Sequence, residues 1–194
     1  MSEFQIYFEL GLEHILDVNG YDHILFVIAL CAVYLLHDWK QVLVLITAFT
    51  LGHSITLALS TLNIVSVDSA LVEFLIPVTI FLTALSNILK KERSLNRGKI
   101  QTNYLLALFF GLIHGLGFSN YLKSLLGRDR NIVSQLFAFN IALEVGQIIV
   151  VAIFLVISFI FVDLIGVNKR DWRLIISSAV AGIALMLMIE TKFW

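Results

Sequence analysis

The sequence predicts an all-α, polytopic membrane helix bundle, with about six transmembrane helices and a short N-terminal interfacial helix. Three observations predict it. Of 194 residues, 59% are hydrophobic and 14% charged. A soluble domain carries about 25% charged residues, so this chain has too few to cover a water-facing surface. Mean hydropathy is +0.94, and six segments approach the roughly 17–25 mostly apolar residues that cross a bilayer. The length suits a single integral membrane domain over residues 1–194, with 1–20 as the interfacial segment and 21–189 as the bundle.

Phe4–Asp17 reads as an amphipathic helix lying in the interface, because Phe4, Phe8, Leu12 and Ile15 or Leu16 share one stripe. A cleavable signal peptide is not expected: Glu3, Glu9, Glu13 and Asp17 interrupt the apolar residues and no basic start precedes them. The spans follow at about Tyr21–His37, Gln41–Thr61, Ala70–Leu89, Asn103–Leu125, Val133–Val162 and Leu174–Ile189. On the fourth, Gly111 and Gly115 form a GxxxG pair that lets a neighbouring backbone approach. On the third, Pro77 should free the carbonyl of Glu73 and bend the helix.

Nine of the 13 Lys and Arg fall in the first, third and fifth loops: Lys40, then Lys90, Lys91, Arg93, Arg97 and Lys99, then Lys169, Arg170 and Arg173. Positive loops favour the cytoplasm, so both termini are expected outside, in a bacterial inner (cytoplasmic) membrane. A net charge of −1 without a basic stripe argues against nucleic acid as a partner. Membrane lipids and a metal ion are the expected partners, and a homo-oligomer stays open. Cys31, the single cysteine, reads as a small core residue.

Ionisable side chains inside membrane helices are costly to insert and by default mark a functional site. Here Asp22 and His23 stand at the start of the first span, His53 in the second, His114 in the fourth and Glu144 in the fifth. Counted by helical rise, His53 lies roughly 12 Å, and His114 and Glu144 roughly 16 Å, below the outer ends of their helices. His14, in the preceding segment, can fold over them. Imidazole and carboxylate together suit nickel, zinc, iron or copper, so a divalent transition metal, nickel or zinc, is the expected ligand. Glu73, Ser54, Asn140 and Gln147 read as the polar groups that back this set; Asn140, Glu144 and Gln147 share one helix face. His37 beside Asp38 and Trp39 reads as interfacial, and Ser54 lacks the setting of a hydrolase nucleophile.

GYDHILFV, FTLGHSITL, FGLIHGLGF and FNIALEVGQ, in this order, resemble the HupE/UreJ family of hydrogenase and urease accessory membrane proteins. The likeness covers roughly residues 14 to 150 and is closer to the second branch of that family. It implies a six- or seven-helix bundle that handles nickel or a related metal. Carried over by position, it points to His14, Asp22, His23, His53, His114 and Glu144.

Three functions compete. A transition-metal permease needs a polar way to the cytoplasm, yet Ile24–Leu36, Leu105–Phe110 and Ile148–Ile157 are essentially apolar; Thr79, Thr83, Ser86 and Asn87 offer the inner polar groups. A zinc-type membrane hydrolase would use an outward-open site with Glu144 or Asp22 as base and three histidine ligands. A metal-stabilised scaffold or sensor would need the ligands alone.

Overall fold

A computed structural model describes residues 2–18, 20–90, 97–126 and 132–194, so the orienting residues Lys91, Arg93, Arg128 and Arg130 lie outside the described residues. All regular structure among these is helical: α1 (Glu3–Leu16), α2 (Asp22–Cys31), α3 (Trp39–Thr61), α4 (Ser69–Leu89), α5 (Arg97–Gly117), α6 (Ser119–Leu126), α7 (Ile132–Phe159) and α8 (Lys169–Glu190). Four continuous helical stretches are long and apolar enough to cross a membrane: Leu36–Thr61, Ser69–Leu89, Ile132–Leu164 and Lys169–Glu190. The expected second, third, fifth and sixth spans correspond to these.

The first span differs. It was expected over Tyr21–His37, but α2 stops at Cys31 and a single 3-10 turn covers Leu36–Asp38. Ten residues rise about 15 Å, half of a hydrocarbon core about 30 Å thick. The reason lies in how the apolar run is spent. Ala32, Tyr34 and Leu35 are buried in the core, and Asp38 Oδ2 accepts from Leu35 N–H (3.2 Å) to shape the turn into α3. Apolar character here reflects packing and not helix.

α1, the helix expected in the interface, is seated against α7. Gly11 packs on Phe139 and Ala142, and Ile15 on Gly146. Both numberings rise together, so α1 and α7 run parallel. Below the break, α2 keeps that direction along α4. Asp22 shares a cavity with Ile76 and Pro77, and Asn87 Nδ2 donates to the Ala29 carbonyl (2.7 Å). Asp22 and His23 therefore lie beside the middle of α4 rather than at an outer mouth.

A second interruption divides the expected Asn103–Leu125 span. The axis turns by 45° between Gly117 and Ser119, where Ser119 Oγ donates to the Leu116 carbonyl (2.8 Å). With α5–α6 counted as one bent span, five helical stretches among the described residues are long and apolar enough to cross a membrane, and α2 is a shorter apolar helix beside them, so the expected count of about six is approximate.

Caps fix the water-facing ends. Ser2 and Gln5 form a reciprocal capping box on α1, worth about 1 kcal/mol. Asp68 accepts from Leu71 N–H (3.1 Å) at the start of α4, and Asn168 from Arg170 N–H (2.8 Å) at the start of α8. Asn63 (φ 58°), just past α3, and Gly166 (φ 83°), just past the helical stretch of α7, take the left-handed conformation that lets terminal carbonyls find donors. One end of the bundle joins Trp194 to Phe74 (ring centroids 4.8 Å) and Asn120 Nδ2 to Ser69 Oγ (2.6 Å). At the opposite, basic end, Arg173 Nη2 donates to the Lys90 carbonyl (2.9 Å).

Candidate metal centre

Each histidine sits next to a glycine contact or at a helix break. Gly52 precedes His53 on α3, and Gly115 follows His114 on α5. A Cβ on Gly52 would lie 2.2 Å from the Leu108 carbonyl oxygen, and one on Gly111 would lie 2.2 Å from that of Phe49. A Cβ on Gly115 would lie 2.2 Å from the His53 carbonyl oxygen itself. Absent those three carbons, α3 and α5 touch backbone to backbone, which fixes the spacing of the helices that carry His53 and His114. His14 lies one turn past Gly11, in the last turn of α1, and His23 is the second residue of α2.

The result is a convergence of imidazoles from four elements. Ring centroids are 4.5 Å apart for His14–His23, 5.9 Å for His23–His53, 6.1 Å for His14–His53 and 5.3 Å for His23–His114. One nitrogen each from His14, His23 and His53 falls within 4.8 Å of the other two. His53 and His114 have no exposed surface and His23 has 4%. Buried polar atoms are ordinarily hydrogen-bonded. Yet among the described residues His14 Nε2, His23 Nε2, both nitrogens of His53 and His114 Nδ1 have no hydrogen-bond partner. Five orphaned imidazole nitrogens in one pocket are what a ligand set for a cation would leave.

The backbone adds to this. α1 ends beside the cluster with His14 in its last turn, and α5 with His114 in its last turn. A helix C-terminus carries partial negative charge, so both helices aim the end that favours cations at the cluster. The N-terminus of α2 aims the opposite charge, and Asp22 in its first turn offsets it. Asp22 Oδ1 accepts from the His23 backbone N–H (2.9 Å) and lies 3.0 Å from His23 Nδ1. That pairing leaves His23 Nε2 as the free donor atom, the arrangement by which a carboxylate orients a metal-binding imidazole.

The remaining candidates are distributed around the cluster. Glu73 is exposed and lines a cavity of about 200 Å³ with Gly20, Tyr21 and Asp22. Glu144 Oε1 accepts from Thr47 Oγ1 (2.6 Å) and is not among the residues whose donor atoms converge. Gln147 accepts from Thr50 Oγ1 (2.9 Å), while Ser54 donates to the Thr50 carbonyl (2.7 Å). Asn140 keeps a buried, unpartnered Oδ1. Sequence reading ranked Thr79 with the inner polar residues, but its Oγ1 is 3.0 Å from His114 Nε2. The spacing of Thr79, Thr83 and Ser86 along one helix cannot reveal such a contact, because it crosses between helices. Phe118, at the second break, covers His14 at a centroid distance of 3.9 Å; no polar pattern flags it.

Two further cavities flank the site. A groove of about 740 Å³ runs beside His14, lined by Leu10, Leu12, Glu13, Asp17, Phe118 and Tyr121 among others. Toward the basic end, Phe26 and Phe49 lie under His114 (5.0 and 5.1 Å), and Phe110 lies against Phe26 (6.0 Å). Beyond them opens a cavity of about 210 Å³ lined by Tyr34, Thr83, Ser86, Asn87, Asn103 and Phe110 among others.

No curated protein and no solved structure matches the chain. A family profile described as HupE / UreJ protein matches residues 1–192. With an apolar helical bundle and a histidine triad able to hold a metal ion, this chain belongs to the HupE/UreJ family of membrane proteins linked to nickel handling.

Proposed function

We propose that the protein is a permease for a divalent transition-metal cation, nickel or a close analogue, and that the histidine cluster is its binding site. The observation that carries the reading is the set of five orphaned imidazole nitrogens where α1 and α5 end. Interrupted helices with their C-termini toward a midplane site are a recurring way of holding cations in transporters. His14, His23 and His53 form the first ligand set, His114 stands next to it, and Asp22 supplies negative charge and orients His23. Glu73 and Asp22 line an approach from the end that holds the termini.

Transport also needs a way out. The apolar inner halves of the helices argue against one in sequence, but the 210 Å³ cavity with its hydroxyls and amides lies just past Phe26, Phe49 and Phe110. A cation then crosses one aromatic layer and not a dry half-bilayer. The basic loops at that end favour a cytoplasmic location, so movement is inward.

A second reading, a zinc-type membrane hydrolase, draws on the groove beside His14, whose mostly apolar lining suits an acyl chain. Reconstitution into proteoliposomes separates the two. The permease takes up nickel or zinc, and His53→Ala lowers both uptake and metal affinity, the latter by about 100-fold. Stoichiometric binding without flux, together with metal-dependent cleavage of an ester or amide lipid, sinks the permease in favour of the hydrolase.

A further inference from the structure

We infer that Thr79 is a positioning residue that holds His114 in its Nε2–H tautomer, so that His114 presents Nδ1 to the cation. The inference deepens the permease reading, because it matters to function only if His114 serves the ion. Thr79 Oγ1 lies 2.7 Å from the Ile76 carbonyl oxygen and 3.0 Å from His114 Nε2. A hydroxyl has one proton to donate, and a carbonyl oxygen can only accept. The proton therefore goes to Ile76, and the hydroxyl turns a lone pair toward the imidazole. The bond closes only if Nε2 carries hydrogen. A neutral imidazole protonated there has its free lone pair on Nδ1, the His114 nitrogen left buried and unpartnered.

His23 is set the other way. Its Nδ1 faces Asp22 Oδ1 at 3.0 Å and its Nε2 is the orphan. The pocket thus offers Nε2 from α2 and Nδ1 from α5, with the choice made by a carboxylate in one case and a threonine in the other. Phe26 and Phe49, packed together against His114, supply no hydrogen-bonding alternative. Thr79 is on α4, so it also ties a third helix to the α3–α5 pair at the level of the site.

Nitrogen NMR of histidine-labelled, metal-free protein reads the tautomer directly, with His114→Gln assigning the signal. Wild type should show a protonated Nε2 and a bare Nδ1 at His114. Thr79→Val should give a tautomer mixture, and Thr79→Ser should restore the wild-type signal. Calorimetric titration with nickel or zinc should show affinity about ten-fold weaker in Thr79→Val, the lower end of what loss of a ligand's hydrogen-bond partner costs, and recovered in Thr79→Ser. A bare Nε2 in wild type, or an unchanged tautomer in Thr79→Val, overturns the inference. So does Thr79→Val that loses the tautomer yet binds metal at wild-type affinity. Binding without flux in wild type overturns the permease alone and leaves the tautomer result standing.

Discussion

Two glycine contacts build this site, and they differ in what the glycine makes room for. Between α3 and α5, Gly52, Gly111 and Gly115 each admit a carbonyl oxygen of the facing helix. Between α1 and α7, Gly11 likewise faces the Phe139 carbonyl, but Gly146 receives the Ile15 side chain, whose Cγ2 would lie 2.1 Å from an added Cβ. A backbone oxygen cannot rotate away, whereas an isoleucine methyl can. The first contact fixes the spacing of His53 and His114. The second seats α1, and with it His14, on one backbone contact at Gly11 and one side-chain contact at Gly146, the adjustable part of that joint.

Gly115→Ala attacks the rigid contact and should have the largest effect. The added carbon meets the His53 carbonyl at 2.2 Å and Thr56 Oγ1 at 2.4 Å. Overpacking against backbone should cost about 3 kcal/mol, read as a lowered unfolding temperature in detergent, and metal binding should be lost with it. Wild-type stability in this variant would show that α3 and α5 are free to separate.

Gly146→Ala attacks the adjustable contact and should cost less, about 1 kcal/mol, while weakening metal binding by displacing His14. Removing Cγ2 of Ile15 in a Gly146→Ala, Ile15→Ala double variant should recover much of the loss in metal binding, a coupling that a double-mutant cycle measures. Strict additivity would mean that α1 is held elsewhere.

Glu144→Gln should have the smallest effect. With its carboxylate engaged by Thr47 at 2.6 Å, metal affinity by titration should stay within about two-fold, since the amide keeps an acceptor for the threonine hydroxyl. A ten-fold loss would place Glu144 among the ligands after all.

The legible and illegible parts of the site divide along physical lines. His23, His53 and His114 stand out in sequence because an imidazole in an apolar run is costly unless it has partners. The GxxxG of Gly111 and Gly115 announces a close helix contact before the partner is known. Gly11 and Gly146 announce nothing, being single glycines on two separate helices whose meaning appears only when Gly11 meets Phe139 and Gly146 meets Ile15. The run from Ile24 to Leu36 reads as unbroken because hydropathy reports burial, and Tyr34 and Leu35 are buried outside a helix.

Composition and the spacing of polar residues thus determined that this chain crosses a membrane as helices and carries imidazoles within them. Those properties follow from the cost of each residue in hydrocarbon, which is local. The pairing of α1 with α7, the break between α5 and α6 beside the cluster and the contact of Thr79 with His114 were decided by the tertiary structure. They depend on which surfaces meet, and contact between residues distant in sequence is a property of the packed chain.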